Sequence, residues 1–405
     1  MLFRSLLDKG ADINAQGGKY GNALQAASYT GHEAIAKVLL LKGAHVNQQG
    51  GEYGNALQAA SNGGHHAIVK ILIEKGADVN AQGGKYGNAL QAASNEGNTS
   101  IVKLLIHKGS NVNAQGGLYG NALQAAAYGG YKTIAQLLLK KGAHVNAKGG
   151  KYGNALQGAS SGGYPPIAKW LMPKWAYGHG EIAILLLEKG ADVNAQGGEY
   201  GNALQAASNA GHEKIAKLLL EKGADVNAQG GEYGNALQAA CNGGQERIYK
   251  RLLEKGMDVD EIPHNFVKSI ETVWNGGHEA IVKLLIEKGA EINAQGGKYG
   301  NALQATSYRG HEAIAKLLLQ KGVNVNAQGG KYGNALQASS YGGNQAIVKL
   351  LIEKGADVNV QGGEYGTALN AASNQGHEAI QNMLINNATL THITAMVDPI
   401  SPFGH

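Results

Sequence analysis

Short runs of small apolar residues alternate with longer aliphatic runs, and the whole pattern returns at a fixed interval. The hexapeptide Tyr-Gly-Asn-Ala-Leu-Gln begins at Tyr20 and again at Tyr53, and a near copy, Tyr-Gly-Thr-Ala-Leu-Asn, begins at Tyr365. The other copies begin at Tyr86, Tyr119, Tyr152, Tyr200, Tyr233, Tyr299 and Tyr332. Such a period is typical of stacked repeats that each pack only on their neighbours. The sequence therefore predicts a solenoid whose function lies on a surface.

Each repeat contains two predicted helices. The first covers Asn22–Ser28: Asn22 is a strong N-cap, and Gln25 three residues later can complete a capping box. Alanines surround Leu24, and small side chains let neighbouring backbones approach closely, so this is an inner, tightly stacked helix.

The second helix runs from His32 to Leu40 and is more apolar. Its buried stripe is predicted to contain Ile35, Ala36, Leu39 and Leu40. Lys42 and Gly43 end it, because a cation suits the negative helix end and glycine tolerates the left-handed conformation that follows. The connector over 76–84 is rich in turn formers and predicts a protruding, hairpin-like loop.

This order of helix, turn, helix and loop resembles the ankyrin repeat, and Ala27–His32 matches the stretch between its two helices. The family usually has Thr-Pro-Leu-His where this chain has Asn22-Ala23-Leu24-Gln25, so both halves of the cap are exchanged together. The Gly-Gly-x-Tyr-Gly-Asn-Ala-Leu-Gln-Ala-Ala-Ser variant is similar to arrays of filamentous fungi, which often form the C-terminal part of NACHT-type NOD-like receptors. The resemblance implies an all-α, elongated and curved solenoid that binds proteins on its concave face, as part of a receptor or as a stand-alone intracellular scaffold.

Composition limits the classes of partner and the cellular location that are expected. The net charge of +5 comes with acidic and basic residues interleaved, which predicts no nucleic-acid or membrane partner. One cysteine excludes an internal disulfide, the start does not resemble a signal peptide, and the apolar runs are too short to span a bilayer. A cytoplasmic location is expected, and near-identical repeats leave self-association open.

The array is predicted to span residues 1–387 as one domain, followed by a disordered or loosely docked tail over 388–405. Residues 1–10 match a second helix whose first helix is missing. A fragment of a longer protein, a truncated gene model and a frayed end all explain this start. We favour the fragment, because an uncapped repeat exposes a core face.

Two segments break the period. The first is the irregular unit 164–190, where second-helix matches at Tyr164–Lys174 and Trp175–Lys189 follow each other with no first helix between them. Trp170 and Trp175 are candidates to fill the gap. A deletion scar or mis-spliced gene model explains this segment, as does a selected kink or partner pocket.

The second break is the degenerate unit 256–289. Phe266 replaces the tyrosine, Lys268 the capping asparagine and Glu271 the glutamine, while Trp274 stands where other repeats have a small residue. Loss of a cap typically costs about 1 kcal/mol. The segment is predicted to be a weak repeat or hinge, or else a drifting repeat that is merely tolerated.

Candidate chemistry is sparse. The Gly-Gly-Lys-Tyr-Gly run lacks the Ser or Thr of a phosphate-binding loop and recurs in many repeats, so it is interpreted as structural. Histidines at the start of second helices are expected to bond the connecting backbone, and the pair His65-His66 lacks further ligands at zinc spacing and is assigned a surface role. Cys241 is expected to be a small, half-buried filler. No enzyme, cofactor or metal site is predicted.

Side chains that differ between repeats are the candidate protein-binding residues, because a varied surface on a constant scaffold suits recognition. One set precedes each motif tyrosine at the loop tip: Lys19, Glu52, Lys85, Leu118, Lys151, Glu199, Glu232, Lys298, Lys331 and Glu364. The other follows the first helix: Tyr29, Asn62, Asn95, Tyr128, Ser161, Asn209, Asn242, Tyr308, Tyr341 and Asn374. The four tyrosines are the preferred contacts, since tyrosine is enriched at binding hot spots. Alternatively, they only cover the end of the first helix.

Overall fold

The computed structural model describes residues 10–162, 178–243 and 278–397, with side chains described as far as residue 389. Regular secondary structure in these residues is entirely helical, accompanied by isolated antiparallel bridges. The chain forms two compact units, Met1–Ala203 with Glu221–Gly223 and Leu204–Leu220 with Ala224–His405. The partial helix predicted over 1–10 lies almost wholly outside the described residues.

The first helices begin where the sequence predicts. Asn22 is extended, with φ of −151°, and its Oδ1 accepts a hydrogen bond of 2.9 Å from the backbone N–H of Gln25. At Asn55 and Gln58 both halves of the capping box are present. The first helices are Ala23–Thr30, Ala56–Gly63, Ala89–Asn95, Ala122–Gly129, Ala155–Ser161, Ala203–Ala210, Ala236–Asn242, Ala302–Arg309, Ala335–Tyr341 and Ala368–Asn374.

The second helices end at a Lys-Gly pair in most repeats, and Gly43 has the predicted left-handed backbone with φ of 93°. Ala36 and Leu39 are fully buried, whereas Ile35 and Leu40 of this repeat are half-buried. The second helices are Glu33–Leu41, His66–Glu74, Thr99–His107, Lys132–Lys140, Gly178–Glu188, Glu213–Glu221, 278–287, Glu312–Gln320, Gln345–Glu353 and Glu378–Val397.

Consecutive first helices pack against one another from Ala23–Thr30 to Ala155–Ser161 and from Ala236–Asn242 to Ala368–Asn374. Ala59 and Ala60 are 0% exposed and Leu57 is 1% exposed, so backbones approach across a layer of small side chains. This confirms the prediction of a tightly stacked first-helix row.

The motif glutamine joins neighbouring repeats as well as closing its own helix. Gln91 is 0% exposed, and its Nε2 donates 3.0 Å hydrogen bonds to the carbonyls of Ala114 and Gly120 in the next repeat. The equivalent pair of bonds is made by Gln25, Gln58, Gln124, Gln157, Gln205, Gln238, Gln304 and Gln337. The sequence predicted only the capping role.

The repeated glycines permit close approach of adjacent hairpins. Gly83 N–H donates to the Gly87 carbonyl at 2.8 Å and closes the predicted hairpin-like loop. At Gly117, φ is 61° and a Cβ atom would lie 2.2 Å from the carbonyl carbon of Tyr86 in the preceding repeat. The Gly-Gly-x-Tyr-Gly motif is therefore structural, as predicted.

An asparagine in each connector fastens it to the next one. Asn80 Nδ2 donates to the Gly109 carbonyl at 3.1 Å, and its Oδ1 accepts from the Asn111 N–H at 2.8 Å. The preceding Asp78 accepts from the backbone N–H of Asn80, a bond that Asn111 also makes with Asn113. The mixture of aspartate and asparagine at this position thus has a local structural cause.

The described residues include part of the first irregular segment. Tyr164–Lys174, Trp170 and Trp175 lie outside the described residues, whereas the helix predicted over 175–189 is confirmed at Gly178–Glu188 and packs on the first helix Ala155–Ser161.

The repeat at Tyr152 is followed directly by the repeat at Tyr200. Gln157 Nε2 donates to the carbonyls of Ala195 and Gly201, at 3.0 and 2.9 Å, as its equivalents do to the next repeat. Gly178–Glu188 therefore serves as the second helix of the Tyr152 repeat, and the extra residues fall within 163–177.

The degenerate unit predicted over 256–289 is described only from residue 278, where the helix 278–287 belongs to the row of second helices and His278 contacts the Asn209 carbonyl. Gln238 Nε2 donates to the carbonyls of Ala294 and Gly300, at 2.9 and 3.3 Å, so the repeat at Tyr233 bonds directly to the repeat at Tyr299. The first helices Ala236–Asn242 and Ala302–Arg309 also pack together.

The sequence contains the physical reason. His264 stands at the position of the close-approach glycine Gly117, and Glu271 replaces the inter-repeat glutamine, so this segment lacks both groups that join neighbouring repeats. The predicted hinge around Phe266–Trp274 lies outside the described residues.

The last helix runs from Glu378 to Val397, so the first ten residues of the tail predicted over 388–405 continue this helix. The Lys-Gly pair that ends the other second helices is replaced by Asn387-Ala388, so no left-handed glycine terminates this one. The first proline beyond it is Pro399.

Candidate interaction surface

The loop-tip residues of the first set form a row, called here the tip row. The Glu52 N–H donates to the Lys19 carbonyl and the Lys85 N–H to the Glu52 carbonyl, both at 2.8 Å. The backbone chain continues through Leu118, Lys151 and Glu199, and in the second unit it links Glu232, Lys298, Lys331 and Glu364. The backbone groups of the tip row therefore bond adjacent repeats together, whereas the side chains differ from repeat to repeat.

Charged side chains in the tip row pair with each other. Glu52 lies 3.5 Å from Lys19 and 3.4 Å from Lys85. Further pairs join Lys151 to Glu199, Glu232 to Lys298, and Lys331 to Glu364. These side chains stay 28–62% exposed, and exposed pairs contribute about 0–1 kcal/mol each. A partner can therefore replace them at little cost.

Leu118 interrupts this alternation. It is the single uncharged member of the tip row, is half-buried, and lies between Lys85 and Lys151.

The motif tyrosines stack along each unit and form what we call the tyrosine ladder. The rings of Tyr53 and Tyr86 are 6.4 Å apart and those of Tyr119 and Tyr152 are 6.0 Å apart. Burial raises the pKa of Tyr86 to about 12. The sequence marked these residues only as part of the framework.

The four preferred tyrosines are inserted into this ladder. Tyr29 lies 4.5 Å from Tyr53 between ring centroids, and Tyr128 lies 4.4 Å from Tyr152. Tyr308 and Tyr341 contact the ladder in the same way, at 4.8 Å from Tyr332 and 4.7 Å from Tyr365. All four are half-buried, so each both packs on the framework and presents an edge to solvent.

The asparagines at the same position differ from one another. Asn62 and Asn95 are half-buried beside the Glu96 carboxylate, at 3.5 and 2.8 Å. Asn374 is exposed. Asn209 and Asn242 are each 3% exposed, and Ser161 is fully buried, so their side chains offer a partner almost no surface.

Histidines tie the second helix to the preceding repeat, as the sequence predicted. His65 Nε2 lies 2.8 Å from the Tyr29 carbonyl, which gives His65 a structural role in place of the predicted surface role. The same contact is made by His179, His278, His311 and His377, whereas His32 contacts Thr30 Oγ1. Asn98 and Asn344 occupy equivalent positions and donate to the same region.

The structure offers no metal centre in its described part, where no group of three or more His, Cys, Asp or Glu side chains is placed to hold an ion. Cys241 is fully buried rather than half-buried, and burial raises the pKa of its thiol to about 12. No helix within the described ranges is long and apolar enough to cross a membrane.

The buried histidines predict acid sensitivity. Burial, assisted by the neighbouring His278, lowers the pKa of His311 from 6.5 to about 4. The unfolded chain therefore takes up a proton at higher pH than the folded chain, and stability present above pH 6.5 is lost as the pH falls towards 4. At about pH 5 this difference in pKa lowers the free energy of unfolding of the wild type by about 2 kcal/mol. We expect His311→Asn, which installs the residue found at the equivalent position Asn344, to abolish that acid-dependent decrease.

Hydrogen exchange of the helix Glu312–Gln320 at several pH values measures the effect. An equal acid response in the wild type and in His311→Asn would contradict it.

The family model for ankyrin repeats in three copies matches residues 1–83, 49–116, 89–177, 175–263 and 270–362. Among solved structures, the crystal structure of the human ASB11 ankyrin repeat domain is similar, with 22% sequence identity and a TM-score of 0.43, covering 58% of this chain and 97% of that chain. No curated protein matches the chain.

Proposed function

Because the chain belongs to the ankyrin repeat family, we propose that it is a protein-binding module that contacts its partner through the tip row and the inserted tyrosines Tyr29, Tyr128, Tyr308 and Tyr341. Ankyrin repeats generally mediate protein–protein interaction and are typically not enzymes. The observation that carries the proposal is the tip row: its backbone is fixed by the stack, while its exposed side chains vary from repeat to repeat.

The energetics support this choice of surface. The Lys–Glu pairs of the tip row are exposed and weak, so their replacement by a partner's charges costs little. The inserted tyrosines are held in place by ring stacking, so binding does not require them to be ordered. A pre-ordered aromatic edge beside weakly paired charges suits a folded protein surface. Asn209 and Asn242 are left out of the proposed site because they are buried.

We further propose that the chain is the recognition region of a fungal NOD-like receptor. Support comes from the similarity of the Gly-Gly-x-Tyr-Gly-Asn-Ala-Leu-Gln-Ala-Ala-Ser repeat to arrays attached to NACHT domains. An upstream reading frame that encodes a nucleotide-binding domain would support the receptor. A complete gene without one would favour the stand-alone cytoplasmic scaffold.

The protein-binding function is tested by affinity capture from the source cells. The wild type is compared with a variant in which Tyr29, Tyr128, Tyr308 and Tyr341 are changed to asparagine, the residue that other repeats hold there. We expect a specific protein to be retained by the wild type and lost from the folded variant. A reciprocal variant, Asn62→Tyr with Asn95→Tyr, should retain it at least as well. Equal capture by all three would contradict a role for this row.

A further inference from the structure

Charge is not spread evenly along the chain, which corrects the expectation that acids and bases interleave throughout. Residues 79–162 contain eight lysines but only one acidic residue, Glu96, although the whole chain has 35 Lys and Arg against 30 Asp and Glu. Lys85, Lys132 and Lys151 of this stretch are paired with acids outside it. The excess therefore lies on the other lysines.

Lys103 lacks a partner that its equivalents have. Six other second helices carry a lysine at the same position, each paired with a glutamate one turn away: Lys37, Lys70, Lys217, Lys283, Lys316 and Lys349. Around Lys103 the two positions one turn away are Thr99 and His107. The carboxylate that pairs with the equivalent lysines is therefore missing beside Lys103.

The ends of two adjacent second helices add to the excess. Thr99–His107 and Lys132–Lys140 pack side by side, and each is followed by an exposed lysine, Lys108 and Lys141. Where these helices end in His107 and Lys140, the flanking second helices end in Glu74 and Glu188.

We call Lys103, His107, Lys108, Lys140 and Lys141 the basic patch. All five side chains are exposed, and among the described residues no carboxylate lies within ion-pair distance of the four lysines. Two helix carboxyl ends contribute about half a negative charge each, which offsets about one of the four positive charges. The patch remains clearly positive.

We propose that the basic patch binds a short, extended acidic segment of a protein. Packed helices lie about 8–10 Å apart. An extended chain in the polyproline-II conformation advances about 3.1 Å per residue with three residues per turn, so carboxylates at every third residue share one face and meet one helix end after another. Glu74 and Glu188 border the patch on either side. Because they repel an acidic segment, they limit its favourable length to the two repeats that carry the patch.

The same borders disfavour a long polyanion such as a nucleic acid or a membrane surface, which would extend onto those glutamates. The patch also contains no arginine for bidentate phosphate binding and no phenylalanine, tyrosine or tryptophan for base stacking. It is separate from the tip row and the inserted tyrosines, so its test is independent of theirs.

The experiment measures fluorescence anisotropy of a labelled peptide of four Glu-Gly-Gly units at low salt, with the intact chain. The patch variant carries His107→Glu and Lys140→Glu, which install the residue type that the flanking repeats already hold. The control variant, Lys214→Glu with Gln320→Glu, makes the same change in net charge on exposed positions elsewhere. We expect the patch variant to bind about tenfold more weakly and the control to bind like the wild type.

Equal weakening by both variants, or no binding to the wild type, would overturn the proposal. Parallel titrations use a single-stranded oligonucleotide and anionic phospholipid vesicles. Tighter binding of either, lost in the patch variant, would overturn the choice of an acidic protein segment.

Discussion

Replacing Gly117 with alanine is expected to lower the free energy of unfolding by about 3–5 kcal/mol. Two costs combine. A left-handed backbone costs a non-glycine residue about 1–2 kcal/mol, and the new Cβ would overlap the Tyr86 carbonyl group of the preceding repeat. Because that neighbour is backbone held in its own hairpin, it cannot rotate away. The two repeats are expected to separate locally.

Gly109→Ala is the matched control for this substitution. Gly109 also has a left-handed backbone, with φ of 89°, but no atom lies within 4 Å of the position that its Cβ would take. It is expected to cost only the conformational term, about 1–2 kcal/mol. Urea unfolding followed by circular dichroism, with hydrogen exchange of the repeats at Tyr86 and Tyr119, measures both variants. Equal losses would show that the hairpins do not approach as closely as described.

Replacing Gln91 with glutamate is expected to cost about 3–5 kcal/mol near neutral pH. The side chain keeps its size, but the amide that donates to the carbonyls of Ala114 and Gly120 becomes a carboxylate that can only accept. The part-buried Ala114 carbonyl loses this donor, at about 1–3 kcal/mol, the Gly120 carbonyl keeps only the Gly116 N–H, and a charge is buried. Coupling between these two repeats should fall accordingly.

The loss caused by Gln91→Glu should shrink as the pH falls. Burial favours the protonated carboxyl group, which binds its proton more readily in the folded chain than in the unfolded chain. Gln82→Glu is the control, because Gln82 is exposed and its amide donates a 3.4 Å hydrogen bond to the carbonyl of Asn80 in its own connector. It should change stability by no more than about 0.5 kcal/mol. Similar losses in the two variants would contradict the inter-repeat role of the buried glutamine.

Local features of the fold were predictable because they depend on neighbours in the sequence. Asn22 caps the helix that follows it, and Gly43 ends the one before it, through bonds within a few residues. The second role of Gln91 was not predictable in this way, because its partners lie 23 and 29 residues away in the next repeat. The sequence did carry one signal of this role: a polar side chain occupies the same stacked position in nearly every repeat.

The same reason applies to residues 256–289. Length alone predicted a further repeat there, although the segment lacks the glycine and glutamine that bond to a neighbouring repeat. The amide of Gln238 donates its inter-repeat hydrogen bonds to the carbonyls of Ala294 and Gly300, in the repeat at Tyr299. The last helix continues past Asn387 because Ala388 stands where the other second helices have their terminating glycine.

For the candidate surface, the sequence identified positions that vary but not how they are used. Tyr29 and Tyr128 differ from their equivalents in sequence, yet both stack on the ladder. Asn209 has the same residue type as Asn62 but is buried. Burial of a side chain at the end of the first helix depends on the next repeat, which a single repeat does not reveal.

Lysine labelling of the array, with and without the partner recovered by affinity capture, tests the central claim most directly. The proposed surface predicts that Lys19, Lys85, Lys151, Lys298 and Lys331 of the tip row are protected by the partner, while Lys37 and Lys316 on second helices react as before. Protection confined to second-helix lysines, with the tip row unchanged, would contradict it.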